Sequence, residues 1–95
     1  MAAAEPGERP LPLFLELMSR EDLTRPQVMV YIAIAVCQEG GHVPSIDDVA
    51  TMSRTSRKAP HRPTRTIVKA LESKGLLRRA YADGRLRFEL LGPKL

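Results

Sequence analysis

The residues with the clearest chemical potential in this 95-residue chain are its basic side chains, which are concentrated after residue 50. Residues 1–50 carry three basic and eight acidic side chains, a net charge of −5, whereas residues 51–95 carry twelve basic and three acidic ones, a net charge of +9. A basic half on an otherwise acidic chain is typical of a surface that binds a polyanion. The alternative is a solvated basic surface that serves only solubility.

Groups suited to catalysis or to metal binding are few. Apart from carboxylates, the strong metal ligands are Cys37, His42 and His61, and their spacing matches no common metal site. The single cysteine excludes an internal disulfide, and we expect Cys37 to be a small buried side chain. The sequence has no carboxylate pair, Cys–His pair or glycine-rich phosphate loop. We therefore expect no enzymatic activity, no cofactor and no metal, and interpret His61 as a phosphate neighbour or a simply exposed side chain.

Length and composition predict one small domain built mainly from helices. A chain of 95 residues is long enough for one domain and too short for two. Hydrophobic residues make up 43% of the chain but aromatic ones only 4%, so the core must come from aliphatic side chains, which suits helices packed on helices. Residues 1–10 lack any periodic pattern and are predicted to be a flexible leader, with residues 11–95 forming a single domain.

No segment of the sequence is predicted to enter a membrane. The longest apolar run, residues 28–37, is shorter than the roughly 20 residues that a bilayer requires. The first residues also lack the basic and apolar regions of a secretory signal. We therefore expect a cytoplasmic protein without a membrane partner.

Two segments of the first half show helical patterns. Residues 11–19 space apolar side chains by one, three and four, which predicts a short helix with one apolar face. That face consists of Leu13, Phe14, Leu17 and Met18. A second helix is predicted over about residues 25–39, because Thr24 is a good N-cap, Pro26 suits a first turn and two glycines follow. This helix is apolar all round, so it must be covered on most sides.

A shorter helix and a basic loop come next. Ser45 is the predicted N-cap, and Asp48 at the third helical position completes a variant of the capping box, so the helix is expected to end near Ser53. Its apolar stripe consists of Ile46, Val49, Ala50 and Met52. The segment Arg54–Pro63 is then a basic, polar loop, because Pro60 and Pro63 forbid one continuous helix.

The rest of the chain predicts a helix and a β-hairpin. The helix runs from Pro63 or Thr64 to Lys74 and ends at Gly75. Its inward stripe consists of Ile67, Val68 and Leu71, and its outward face of Arg62, Arg65, Thr66, Lys69 and Ser73. The pair Asp83-Gly84 between two strand-like runs, residues 76–81 and 85–90, is a strong hairpin signal.

This order of elements resembles winged helix-turn-helix domains, a family common among bacterial, archaeal and phage transcription regulators. Residues 44–50 are similar to the start of the first motif helix, and residues 66–77 to a recognition helix that runs into the wing. The resemblance covers about residues 24–91. It implies a mainly α fold with a small β-hairpin, in which a three-helix core carries a wing and an extra N-terminal helix.

The sequence departs from the family at the connection between the two motif helices. That connection is usually a tight turn of about three or four residues. Here it extends over Arg54–Pro63 and has no turn glycine. Two interpretations are possible: the loop makes extra phosphate contacts, or the two helices pack at an unusual angle.

The resemblance implies sequence-specific binding of double-stranded DNA. The recognition helix, residues 64–74, would enter the major groove, where Arg65 is the best candidate for reading a guanine. The candidates for base contacts are Arg62, Arg65, Thr66 and Lys69. The basic wing, residues 78–87, would lie on the backbone or in the minor groove. The candidates for phosphate or minor-groove contacts are Arg54, Arg57, Lys58, Ser73, Arg78, Arg79, Arg85 and Arg87.

Specific reading of DNA by one small domain normally requires two half-sites, and hence a homodimer. The expected dimer surface lies within residues 11–39, on the apolar helix 25–39 and the Phe14, Leu17 and Met18 face of the first helix. The whole then predicts a dimeric, nucleoid-associated transcriptional regulator. The competing hypothesis is a winged helix that binds protein in a replication, partition or other complex, with its basic face on an acidic partner.

Overall fold

Four helices and one hairpin make up the protein. The computed structural model describes residues 10–95. The elements are α1 (Pro10–Met18), α2 (Arg25–Glu39), α3 (Ile46–Ser53), α4 (Arg62–Ser73), β1 (Leu77–Ala82) and β2 (Arg85–Leu90). This confirms a mainly helical chain with a small antiparallel hairpin. The predicted leader lies outside the described residues except for Pro10, which is the first residue of α1.

Helix α2 is the centre of the fold and contacts α1, α3, α4 and β2. Its start follows the local chemistry, because the Thr24 side chain accepts a hydrogen bond from the Gln27 backbone and the Gln27 side chain accepts one from the Thr24 backbone. The helix is covered nearly all round, as predicted. Its buried residues are Val28, Val30, Tyr31, Ala33, Ile34, Ala35 and Cys37.

Helix α1 packs on α2 through Leu13 and Leu17, which are buried in the core. The predicted apolar face is wrong at Met18, which is exposed because it lies one residue, or about 100° of helix, beyond Leu17. Exposed Leu11, Leu15 and Met18 follow one another at spacings of four and three. They therefore form a second apolar stripe on the outer side of α1.

Helix α3 begins at the predicted capping box. The Ser45 hydroxyl accepts a hydrogen bond from the Asp48 backbone, and the Asp48 carboxylate accepts one from the Ser45 backbone. That backbone N–H, with the neighbouring His42 ring, holds the pKa of Asp48 below its usual range. The predicted stripe is wrong at Met52, which is exposed beside buried Cys37, with 3.2 Å between the two sulfur atoms.

The hairpin pairs Leu77 with Leu90 at its base and Ala82 with Arg85 at its tip, so its loop is Asp83-Gly84. Both loop residues have positive φ, as a two-residue hairpin turn of type I′ requires. Buried Leu77, Phe88 and Leu90 close the core from this side. No helix within residues 10–95 is long and apolar enough to cross a membrane.

Candidate nucleic-acid interface

Helix α4 has two opposite faces. Buried Thr64, Val68 and Leu71 point into the domain. All five residues predicted for the outward face are exposed, and they fall within an arc of about 100° around the helix axis. These residues are Arg62, Arg65, Thr66, Lys69 and Ser73. We call them the α4 stripe, which contains three cations, two hydroxyls and no acidic group.

The helix begins one residue earlier than predicted. His61 is its N-cap and has a left-handed backbone, with φ of 59°, so Arg62 already belongs to the first turn. Pro63 fits inside that turn because the missing N–H has no helical partner there. In the same region the Arg65 Nε donates a hydrogen bond to the Pro60 carbonyl over 2.5 Å. Arg65 is thus tied at its Nε to the preceding loop.

The loop before α4 is fastened by side chains. It starts with Arg54, whose left-handed backbone ends α3, and it continues into a set of hydroxyl contacts that includes buried Thr64. Of the two interpretations of His61, the exposed side chain is wrong, because the side chain is only 7% exposed. Its ring lies 2.5 Å from the Asp47 carboxylate at Nε2 and 2.8 Å from the Ser56 hydroxyl at Nδ1.

The hairpin cations fall into two classes. Arg79 is clamped to α4, because its guanidinium and its backbone N–H all donate to the Glu72 carboxylate. The guanidinium, and then the backbone N–H, hold the pKa of Glu72 below its usual range. Arg78 pairs with Glu89 across the two strands. Arg85 and Arg87 share the outer face of the hairpin with Arg78 and have no side-chain partner within residues 10–95.

Most of the predicted contact residues are therefore unpaired cations. Within the described part of the chain, seven of them have no side-chain hydrogen bond or ion pair. They are Arg54, Arg57, Lys58, Arg62, Lys69, Arg85 and Arg87. Lys94 and Arg25 are also unpaired there. The seven belong to the loop, to α4 and to the hairpin that follows it, so the positive charge predicted from the sequence is in large part available for an anionic ligand.

Arg25 is not among the residues that the sequence predicts to contact a ligand. It lies at the first turn of α2 and, with Arg54, lines an open cleft of about 460 Å³ beside the start of α4. The floor of this cleft includes Met29 and Ile67. The sequence gives no signal that Arg25 contacts a ligand, because Arg25 lies alone in the acidic half of the chain. Only the packing of α2 on α4 brings it to the basic segments.

Other titratable groups do not form a further centre. Burial raises the pKa of the Cys37 thiol, which makes the reactive thiolate scarce near neutrality. No group of three metal-ligating side chains occurs among residues 10–95. The arrangement therefore favours electrostatic binding through the basic segments.

The chain matches no protein-family model, and comparisons with curated proteins and with solved structures find no significant match. What the basic segments bind must therefore be argued from their residues and geometry.

Proposed function

We propose that this protein binds double-stranded DNA in a sequence-specific manner as a winged helix-turn-helix domain. In this proposal α3 and α4 are the motif helices, α4 enters the major groove and the hairpin is the wing. The observation that carries the proposal is the α4 stripe, an exposed face without acidic groups that is flanked in sequence by unpaired cations of the loop and the hairpin. The role that follows is that of a transcriptional regulator in the nucleoid.

The side chains suit a division of labour between bases and phosphates. Arg62, Thr66 and Lys69 project from α4 at spacings that let them reach base edges within one groove. Arg65 keeps its two terminal nitrogens for the bidentate contact with guanine, since only its Nε is bonded to Pro60. Phosphates are assigned to the loop cations and to Arg85 and Arg87 of the wing. Ser73 is the remaining phosphate candidate at the far end of the stripe.

The acid-paired arginines of the hairpin have a different part in the proposal. Arg78 and Arg79 are held by Glu89 and Glu72, so their net charge is largely compensated. We assign Arg79 to the docking of the wing on α4 and expect the phosphate contacts to come from Arg85 and Arg87. Arg25 joins the phosphate group in turn, through its position beside Arg54.

The test is a titration of labelled duplex DNA at several salt concentrations. Each phosphate contact adds about 0.9 to the slope of log affinity against log salt, so six contacts give a slope of about −5. Lys94→Ala is the matched control, because it removes an exposed cation outside the proposed interface. Absence of binding to any duplex at low salt would overturn the proposal, and binding of an acidic polypeptide in its place would favour the protein-interaction alternative. Selection from a random duplex pool would then give the target sequence.

A homodimer within residues 11–39 is part of the same proposal. The structure changes which side chains are available for it, because Leu17 is buried in the domain and α2 is mostly covered. We now assign the contact to exposed Leu11, Leu15 and Met18, with half-buried Phe14 beside them. Light scattering at micromolar concentration, with and without DNA, is expected to give a dimeric mass. A monomeric mass in both samples would contradict this assignment.

A further inference from the structure

A continuous chain of hydrogen bonds joins α3 to α4 through the basic loop. The Ser53 hydroxyl donates to the Val49 carbonyl over 2.6 Å. From Ser53 the contacts run to Thr55 (2.8 Å), on to Thr64 (2.6 Å) and back to Ser56 (2.8 Å). The chain then reaches His61, whose Nδ1 lies 2.8 Å from the Ser56 hydroxyl.

The direction of every bond in this chain follows from its first member. A carbonyl oxygen only accepts, and a hydroxyl has a single proton to donate. Ser53 gives its proton to Val49, so Thr55 must donate to Ser53. By the same count Thr64 donates to Thr55, and Ser56 donates to Thr64. Ser56 then has no proton left for His61, so the Nδ1–H of His61 must be the donor to Ser56.

The other ring nitrogen of His61 determines its charge. Nε2 lies 2.5 Å from a carboxylate oxygen of Asp47, a distance at which a lone pair on the ring nitrogen would repel the carboxylate. An ion pair at this distance requires a proton on Nε2 as well as on Nδ1, which is the imidazolium form of His61.

We propose that Asp47 and His61 are a positioning pair that fixes the start of α4, and that they hold it in place only while His61 carries both protons. The proposal rests on DNA binding by α4, because Arg62 follows His61 directly and the Arg65 backbone N–H donates to the His61 carbonyl over 2.9 Å. Loss of the Nε2 proton would set a lone pair against the Asp47 carboxylate. The pair would separate, and the first turn of α4, with its arginines, would lose one of its two attachments to α3 and keep only the hydroxyl contacts through Thr64.

The charges around His61 set the sign of the pH dependence. Asp47 and Asp48 belong to α3, but Asp48 is engaged with Ser45 and His42. Arg57 and Lys58 of the loop and Arg62 and Arg65 of α4 are cations that oppose a charged imidazole, whereas α2 has no charged residue between Gln27 and Gln38. Among the described residues, Asp47 is the charged side chain that lies within ion-pair distance of the ring. DNA affinity is therefore expected to be highest at low pH and to fall as pH rises and His61 loses its proton.

The first experiment observes His61 without DNA. In the ¹⁵N-labelled protein at about pH 6.5, the imidazole ¹⁵N shifts are expected to show both nitrogens of His61 protonated. His42→Asn removes the other histidine and gives the assignment. Asp47→Asn is expected to make His61 lose its second proton at a lower pH. A neutral ring whose Nδ1 accepts from Ser56 at about pH 6.5 would overturn the proposal.

The second experiment follows duplex affinity across the range in which imidazoles ordinarily titrate, about pH 5.5 to 8. We expect a loss of about tenfold, or about 1.4 kcal/mol, in the wild type and in His42→Asn, and a flat profile in His61→Asn. Asparagine suits position 61 because it adopts the left-handed backbone readily. Ser56→Ala removes the hydroxyl that accepts from His61 without changing the histidine, and it is expected to lose the wild-type pH profile. Ser56→Thr keeps the hydroxyl and is expected to show the wild-type profile.

The outcomes separate this inference from the proposed function. A doubly protonated His61 together with an unchanged pH profile in His61→Asn would overturn the positioning role. Binding of no duplex at any pH would overturn DNA binding and, with it, the positioning of α4 on DNA, while the ¹⁵N shifts would still decide the protonation of His61 separately. Circular dichroism of each variant establishes that it is folded before its affinity is compared.

Discussion

Helices α2 and α4 pack against each other but distribute their buried and exposed residues in different ways. Helix α2 has buried residues on nearly every side and no charged residue between Gln27 and Gln38. Helix α4 buries one side through Thr64, Val68 and Leu71 and exposes polar and basic groups on the other. Helix α2 is the centre of the core, and α4 presents a polar and basic surface to solvent.

The contrast between the two helices predicts which substitutions should change stability and which should change binding. A residue packed on all sides contributes to stability through the contacts that its truncation removes. Arg62 and Lys69 of the α4 stripe are exposed and unpaired within the described residues, so their truncation should leave the fold intact and change only binding.

The largest effect is expected from truncation of the fully buried Ile34 of α2. Ile34→Ala should lower the free energy of unfolding by about 2–5 kcal/mol, because it removes buried methyl groups and leaves a cavity. Urea unfolding measures the loss, with an unchanged m-value as the sign that only stability has changed. Val36→Ala is the control, since Val36 lies on the partly exposed side of α2 and should cost less. Equal losses at both positions would contradict the proposed role of α2.

A smaller effect, on binding alone, is expected from the α4 stripe. Arg62→Ala should weaken binding to the selected duplex by about 1–3 kcal/mol if Arg62 contacts a base, with less loss on a scrambled duplex. Lys69→Ala, at another base-contact candidate, should cause a loss of the same order with the same dependence on the duplex sequence. The free energy of unfolding of both variants should stay within about 0.5 kcal/mol of the wild type. Duplex titrations of these variants and of Lys94→Ala check the result. A large loss of stability would contradict the distinction between the roles of α2 and α4.

The helices and the hairpin were predictable because their signals are local. Thr24 with Pro26, and Ser45 with Asp48, mark helix starts within four residues of sequence, and Asp83-Gly84 marks the hairpin turn in two. The α4 stripe was predictable for a similar reason, since helical periodicity alone places its members on one face. Its first turn was the exception, because a proline in position 63 fits the start of a helix as well as a loop.

The partners of the charged side chains were not predictable, since they depend on packing between separate elements. Asp47 and His61 are fourteen positions apart, and only the packing of α3 on α4 brings them to 2.5 Å. The clamp of Arg79 on Glu72 likewise needs the turn after α4 to direct the hairpin back onto the helix. Met52 was misplaced because a short helix offers too few turns to define its buried face.

The smallest effect is expected from the clamp between α4 and the hairpin. Arg79 holds the pKa of Glu72 below its usual range, so the carboxylate contributes stability above the ordinary carboxyl pKa, and this stability is lost as pH falls through the lowered value. Glu72→Gln should therefore lower the thermal midpoint slightly near neutral pH and leave a difference that vanishes in acid. The effect is small because the pair is about one-third exposed and solvent screens it.

Glu89→Gln is the matched control for the clamp, because it removes the partner of Arg78 within the hairpin itself and leaves the contact with α4 intact. Thermal unfolding of the two variants and the wild type, from neutral pH into the acid range, compares a pair between elements with a pair inside one. A larger acid-dependent difference for Glu72→Gln would show that the pair between α4 and the hairpin stabilises the protein more than the pair within the hairpin. If both variants behave alike, Arg79 is a surface cation like Arg78, and it returns to the group available for phosphates.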